Sequence, residues 1–366
     1  MSKKVYVGLS GGVDSSVTAA LLLQQGYDVT GVYMKNWSKD LPGFACPWKE
    51  DYQDAKRVAV QLGIPFKMYD FEKEYRQKVV DYMVAEYVAG RTPNPDVMCN
   101  QEVKFKIFLE AALEDGADLI ATGHYARVKD GHLLTAANKE KDQTYFLYRV
   151  TEEALQKSLM PIGEYKTKAE VRAVAKKLGL ATAAKKDSQG ICFVGKVGIK
   201  DFLLHELGPQ KPGSIIDEAG LIIGEHEGAI FYTTGQRHGL NVGGGLPYYV
   251  VGKDMTKNEV YVTTNLDDRN LWQKQLSLKD VHWINGQPSK QKLKVRTRYR
   301  ADLVDCTIKI EGTKVTVNLQ DEVRAITAGQ SAVFYSGDVV IGGGIIAPAG
   351  TKVSHSTARP SKIIAA

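Results

Sequence analysis

The chain has 366 residues, 43% hydrophobic and 25% charged, with four scattered cysteines; this is the make-up of a globular protein of two or three domains and excludes a disulfide scaffold. No apolar run approaches a membrane span, and Met1-Ser2-Lys3-Lys4 leads straight into an apolar stretch, so no membrane anchor and no leader are expected, and a reducing cytoplasm is. The net charge of +6 is uneven: residues 1–275 carry 35 basic against 35 acidic side chains, and residues 276–366 carry 13 against 7, so a neutral body with a basic C-terminal module points to a polyanionic partner.

The first element is an apolar run, Val5-Tyr6-Val7, followed by Gly8-Leu9-Ser10-Gly11-Gly12-Val13-Asp14-Ser15 and a helical stretch from Val13 to Gln25 that stops at Gly26. A Gly- and Ser-rich turn between strand and helix exposes backbone N–H groups at a helix N-terminus, which suits a phosphate or pyrophosphate. No Lys lies in the turn and the spacing G-x-x-x-x-G-K-[ST] is missing, so the turn is not built to cleave a γ-phosphate. S-G-G-x-D-S resembles the PP-loop of the ATP pyrophosphatases, which split ATP into AMP and pyrophosphate while activating a carbonyl oxygen.

Strand-like runs continue at Asp28–Met34, Pro65–Tyr69 and Asp118–Thr122, and helix-like runs at Tyr52–Leu62, Glu72–Val88, Gln101–Glu114 and Lys168–Leu178. This alternation predicts an α/β unit over residues 1–200, a doubly wound parallel sheet with its ligand at the carboxyl ends of the strands. After a short helix, Ile199–Leu207, the pattern becomes all-β. Runs at Leu221–Ile223, Ala229–Thr233, Tyr248–Val251 and Glu259–Thr263 predict a central β domain over 201–275. Runs at Lys292–Arg300, Cys306–Ile310, Lys314–Leu319, Ser331–Tyr335 and Val339–Ile346 predict a C-terminal β-barrel over 276–366, ending in a loose tail from Thr351. Gly243–Gly245 and Gly342–Gly344 read as bulges or turns. On a strand, Lys292, Lys294, Arg296, Arg298 and Arg300 share one face, either a row for phosphates or a guarded, solvated edge.

Cys99 closes Asn94-Pro95-Asp96-Val97-Met98-Cys99, where two prolines stiffen the chain and a helix is expected just after the thiol, favouring thiolate. Asp96 is near enough to act as a general acid or base. Cys192 sits in the polar loop Asp187-Ser188-Gln189-Gly190-Ile191-Cys192. Taken alone, each reads as an ordinary buried Cys, as Cys46 and Cys306 do. His124 stands between nucleotide contact and structural His, and His238 reads as structural.

Gly8 to Ser15, Met34-Lys35-Asn36-Trp37, Asn94-Pro95-Asp96 with Cys99, Ala121-Thr122-Gly123-His124-Tyr125, Lys141-Asp142-Gln143, Asp187-Ser188 with Gly190-Ile191-Cys192, and Thr234-Gly235-Gln236-Arg237 occur in one order. Together they resemble the bacterial tRNA 2-thiouridylase family, over the chain to about Ile346. The segment Ser38 to Asp51, with Cys46, stands outside that match.

The resemblance implies ATP, with Mg2+, on Gly8, Leu9, Ser10, Gly11, Gly12, Val13, Asp14 and Ser15, with Met34 and Gly123 on the adenosine side. Asp14 would help to hold the magnesium–pyrophosphate group. The substrate would be the wobble uridine of tRNA, its C2 oxygen adenylated and replaced by sulfur. Cys192 would carry a persulfide received from a sulfur-donor protein, Cys99 would release the sulfur, and Asp96 would handle protons. Asn94, Pro95, Asp96, Lys141, Asp142, Gln143, Arg298 and Tyr299 would hold tRNA and its target base. Alternatives are another PP-loop enzyme, such as a lysidine synthetase, argininosuccinate synthetase or amidotransferase-type synthetase, and a non-catalytic RNA-binding protein switched by ATP. An iron–sulfur cluster on Asp96, Cys99 and Cys192 has the right ligand chemistry, but three separated positions carry no cluster spacing.

Overall fold

A computed structural model describes residues 2–41, 43, 45–186, 198–240, 242–243 and 245–349. Asp187, Ser188, Gly190, Ile191, Cys192 and the tail from Thr351 lie outside the described residues. The first unit is built on parallel strands β1 (Lys4–Gly8), β2 (Asp28–Lys35), β3 (Phe66–Asp70) and β4 (Leu119–Ala121) and, after a hairpin of β5 (Ala126–Lys129) and β6 (His132–Thr135), β7 (Ser158–Leu159). They lie in the order β3-β2-β1-β4-β7. β1 and β2 are buried along most of their length, which is why they read as continuous apolar runs. The helices are α1 (Val13–Gln24), α2 (Trp48–Leu62), α3 (72–88), α4 (95–114), α5 (Glu152–Gln156) and α6 (Lys168–Lys177). The strand order reverses between β1 and β4, so the loops after these two strands open into one crevice.

Two helices differ from expectation in ways that matter for chemistry. α4 begins at Pro95, ahead of Cys99. The Asn94 side chain accepts from the Val97 N–H at 3.4 Å, and proline at the first helical position is already set at a helical φ. Cys99 therefore lies past the first turn, where the helix dipole no longer favours thiolate strongly. It also opens a stretch of wide π-type turns, Cys99–Ile107, and α3 holds a similar one at Arg76–Val80.

Helix α7 (Ile199–Leu207) leads into β8 (Gly213–Ile216), β9 (Ile222–His226), β10 (Tyr249–Asp254) and β11 (Glu259–Thr263), in the order β10-β11-β8-β9. The run Ala229–Thr233 holds a 3-10 turn, Ala229–Phe231, and not a strand; it follows Gly228 at φ +134°, which breaks the extended course.

The last unit comprises β12 (Trp272–Trp283), β13 (Lys292–Arg296), β14 (Val304–Glu311), β15 (Lys314–Arg324), β16 (Ser331–Ser336) and β17 (Val339–Ile346). β12 pairs with both β15 and β17, closing a six-stranded barrel. Gly342 and Gly343 let β17 approach its neighbours: a Cβ there would lie 2.2 Å from the His282 carbonyl oxygen and 2.4 Å from that of Ala332. β13 stops at Arg296, and Arg300 sits at φ +63°, so the row from Lys292 to Arg300 is not one strand.

The β5–β6 hairpin was not anticipated, although Asp130-Gly131 is a strong turn signal; both residues have positive φ, +50° and +73°. Leu134 on β6 pairs with Val339 on β17, and the Thr135 N–H donates to the Asp338 carbonyl at 2.8 Å. Asp338 also holds Arg127 and Lys139, so the hairpin docks the barrel on the first unit.

Candidate active site

The loop after β1 runs straight into the N-terminus of α1. Gly12 caps α1 without a side-chain hydrogen bond, leaving the first helical N–H groups uncapped by any side chain. Gly11 holds φ +75°, and a Cβ there would lie 2.4 Å from the Asp51 carbonyl oxygen, so the first turn of α2 closes over the loop. The Ser15 hydroxyl accepts from the Ser10 N–H at 3.2 Å and donates to the Gly12 carbonyl at 3.1 Å, which fixes the loop's curvature. Leu9 and Val13 are buried and anchor its two ends in the core.

Met34 and Gly123 flank this loop. A Cβ on Gly8 would meet the Met34 methyl at 2.8 Å. A Cβ on Gly123 would meet the Ser15 nitrogen at 2.7 Å and the Asp14 carbonyl carbon at 2.9 Å. The end of β4 thus lies against the loop's backbone with no room for a side chain.

Asp14 is not an open carboxylate. Lys168 Nζ donates to its oxygens at 2.6 and 2.7 Å, and the Tyr125 hydroxyl donates at 3.0 Å. The loop has no lysine of its own, but the fold brings one from the start of α6. A second, Lys185, reaches Asp51 and Asp54 at 2.7 Å each. Burial works against its charge, yet the two carboxylates hold its pKa above the usual lysine value.

On α4, Cys99 is buried, with Asp96 half-buried one turn before it. Asn100 is buried beside Cys99; its Nδ2 donates to the Phe146 carbonyl at 3.3 Å, and its Oδ1 has no partner among the described residues. Phe146 lies 4.4 Å from the Tyr299 ring, and the Arg300 guanidinium lies 5.2 Å over the other aromatic's centroid. The helix of Cys99, the loop before Phe146 and the turn of Tyr299 therefore meet.

The residues expected on tRNA divide into two groups. Asp142 is buried and accepts from the Ala136 N–H at 2.9 Å and the Thr144 hydroxyl at 2.8 Å, so it holds its own loop together. Burial pushes its carboxyl up despite those bonds and Arg296 at 3.7 Å. Gln143 exchanges hydrogen bonds with the Tyr125 backbone at 2.9 Å. Arg298 also turns inward: its Nη2 donates to the Thr234 and Ala325 carbonyls and the Thr327 hydroxyl at 2.8, 2.6 and 2.6 Å. Through this one nitrogen it ties the central unit to the barrel. Asn94 spends its side chain on the helix cap; Pro95 is buried, Asp96 and Lys141 are half-buried, and Tyr299 lies at the meeting point beside Phe146.

His124 is buried; its Nδ1 pairs with the Thr122 hydroxyl at 2.8 Å, and burial, aided by Lys104, holds its pKa well below the usual histidine value. His238 is exposed. Cys46 is half-buried with its thiol pushed up by burial, and Cys306 is buried in the barrel and pushed up to about 12. Neither is a thiolate at neutral pH. Among the described residues no three His, Cys, Asp or Glu side chains gather as a metal set.

Three family models match in succession: a tRNA methyl transferase HUP domain over residues 3–196, a tRNA methyl transferase PRC-barrel domain over 200–264 and an aminomethyltransferase beta-barrel domain over 273–346. A protein of Lactococcus lactis subsp. cremoris named tRNA-specific 2-thiouridylase MnmA is 49% identical, with 94% of each chain covered. One of the same name from Enterococcus faecalis is 46% identical over 94% of this chain and 95% of its own. The chain belongs to the tRNA-specific 2-thiouridylase MnmA family. As a member of the MnmA family it is a tRNA-modifying enzyme, a tRNA-uridine 2-sulfurtransferase.

A solved NMN synthetase of Francisella tularensis aligns over 53% of this chain and 68% of its own, at 17% identity and a TM-score of 0.34, too slight a likeness to bear on the fold. What the sequence reading of this MnmA-family chain missed is Lys168, Lys185 and Asn100. Lys168 had one local signal, its place just after the capping Thr167 at the start of a helix. Nothing local marks the other two.

Proposed function

We propose that the chain replaces the C2 oxygen of the wobble uridine of tRNA with sulfur, at the expense of ATP. ATP would lie with its phosphates on Gly8–Ser15 and its adenosine between Met34 and Gly123. Lys168 would stand beside the phosphates and turn from Asp14 to a phosphate oxygen, leaving Asp14 to help hold Mg2+. The uridine C2 oxygen attacks the α-phosphorus and pyrophosphate leaves. The terminal sulfur of a Cys192 persulfide then attacks C2 and AMP leaves with the oxygen. The Cys99 thiolate attacks the Cys192 sulfur, the S–S bond breaks, and 2-thiouridine departs from a Cys99–Cys192 disulfide. A thiol reductant reopens that disulfide before a donor protein reloads Cys192. A second route, in which Cys99 first frees the sulfur as hydrosulfide, reaches the same product and the same disulfide.

Asp96 would take up and return protons, and Tyr299 with Phe146 would stack on the target base. In this reading residues 1–200 carry the chemistry, 201–275 bridge, and 276–366 hold RNA, with the enzyme working in the cytoplasm. The observation that carries the reading is the close seat of Gly123 against the Asp14–Ser15 backbone beside an uncapped helix N-terminus, at the point where the sheet reverses. Purified enzyme, tRNA, ATP and a persulfide donor should yield pyrophosphate, AMP and 2-thiouridine in equal amounts, measured by nucleoside mass spectrometry. AMP formation without any thiolated nucleoside would refute sulfur transfer, and no tRNA-dependent AMP would refute activation.

A further inference from the structure

The basic row expected at Lys292–Arg300 does not survive folding, since Arg296 faces Asp142 and Arg298 ties two units together. A different basic surface appears where all three units meet. A groove of about 990 Å³ runs between the end of α3, the β10–β11 hairpin and the start of β12. Its walls carry Lys253, Lys257, Arg269 and Lys274 against a single carboxylate, Asp254. Lys257 has Glu259 at 4.0 Å. Among the described residues Lys253, Arg269 and Lys274 have no carboxylate within 4.0 Å.

Lys253 is the informative one. It is half-buried, its Nζ donates to the Tyr232 carbonyl at 2.7 Å, and burial pushes its pKa down to about 8. A desolvated cation without a counter-ion opposes folding, and an anion in the groove would relieve that cost. Methionine fills the same space without the charge, so relief of the desolvation offsets the donor lost to the Tyr232 carbonyl. The groove reaches Thr92, just before Asn94 and the helix of Asp96 and Cys99. Thr92 is held by both other units: its N–H donates to the Ala328 carbonyl at 2.9 Å, its carbonyl accepts from Gln330 at 2.9 Å, and its hydroxyl pairs with Thr233 at 2.9 Å. A ligand in the groove therefore borders the segment that carries the thiol. The Gln273 amide on the groove wall can add a further donor to a phosphate oxygen.

We propose that this three-sided groove is a phosphodiester track that holds a stretch of tRNA backbone outside the wobble nucleotide, with Lys253 on its floor and Arg269 and Lys274 on its rim. The proposal rests on tRNA being the substrate. Two measurements test it on the full-length enzyme. The first is tRNA affinity across a salt series for wild type, Lys253→Met and the pair Arg269→Gln with Lys274→Gln. The pair should bind about 10- to 100-fold more weakly at low salt and lower the log–log salt slope by about 2, as loss of two phosphate contacts does. Lys253→Met should lose affinity with a melting temperature equal to or above wild type, whereas a lysine kept only for its bond to Tyr232 would lower it. ATP affinity should stay the same.

The second is acylation of Lys253 read by mass spectrometry, with tRNA or inorganic phosphate added at equal phosphate concentration. Protection by tRNA alone supports the track, and equal protection by inorganic phosphate overturns it in favour of a small-anion site. Unchanged affinity and slope in the variants, with wild type binding and thiolating tRNA, also overturn it. Failure of wild type itself to bind tRNA would instead sink the function proposed above.

Discussion

Gly123→Ala isolates the contact between β4 and the phosphate loop. The new methyl carbon would sit 2.7 Å from the Ser15 nitrogen and 2.9 Å from the Asp14 carbonyl carbon, both backbone atoms that cannot rotate away. Ordinary contact needs roughly half an ångström more on each side, so the strand end and the N-terminus of α1 must part. Overpacking of this kind costs about 1–3 kcal/mol. Gly123 is not in the left-handed region, so alanine adds no backbone strain and recovers about 0.4–1 kcal/mol through the unfolded chain. The net loss is of the order of 1–2 kcal/mol, a fall in melting temperature of a few degrees for a unit of this size. The displaced groups are the N–H donors proposed for ATP, so the dissociation constant for ATP should rise about 10-fold or more, roughly 1.4 kcal/mol. Calorimetric titration with ATP and a thermal melt read the two effects. Gly243→Ala, where a Cβ meets nothing within 4 Å, serves as the control and should change neither. An ATP affinity within twofold of wild type, alongside the expected fall in melting temperature, would show that the loop moved and that nucleotide binds elsewhere.

Cys99→Ser and Cys192→Ser should each abolish turnover to 2-thiouridine while ATP binding persists, and Cys46→Ser and Cys306→Ser should be nearly neutral; a Cys46 variant as inactive as the Cys192 variant would reassign the thiol pair. Lys168→Met should leave Asp14 without its cation and slow tRNA-dependent AMP formation at least 10-fold, about 1.4 kcal/mol of transition-state stabilisation, with little change in tRNA affinity; rates equal to wild type would remove Lys168 from the site. Arg298→Ala should destabilise the chain by about 1.5–3 kcal/mol because three acceptors lose a charged donor, and the salt slope of tRNA binding should not change; a flattened slope would return Arg298 to the RNA surface. His124 is neutral when folded, so its contribution to stability is complete above the unfolded value near 6.5 and is lost as pH falls below it, by up to about 1.4 kcal/mol per pH unit. Urea unfolding at pH 7.0 and 5.5 should therefore show a smaller pH loss in His124→Gln than in wild type, and an equal loss would contradict the buried neutral ring.

Much of the architecture was legible because strands and helices are written in short-range periodicity and turn chemistry. The apolar run before Gly8 marks a strand covered on both faces, the glycines Gly26 and Gly63 end helices at positive φ, and β14 alternates buried and exposed residues along its length. The glycines of the first loop read as an anion site because close backbone approach to a ligand demands them. Partnerships across the fold carry no such local mark. Lys168 joins Asp14 over 154 positions, Asp338 receives Arg127 over 211, and Arg298 reaches back 64 to Thr234. The alternation of Lys292 to Arg300 held as a pattern, yet Arg300 at positive φ ended the strand's logic, and two of its arginines found partners inside. The same is true of the start of α4, where capping by Asn94 and the preset φ of Pro95 moved Cys99 from helix end to helix body. Sequence alone determined most of the elements, the order of the motifs and the place of the Gly- and Ser-rich loop, because these depend on neighbours along the chain. Tertiary structure decided which charges face solvent and which are spent on other units, because an ion's free energy depends on the solvent and partners that packing leaves it.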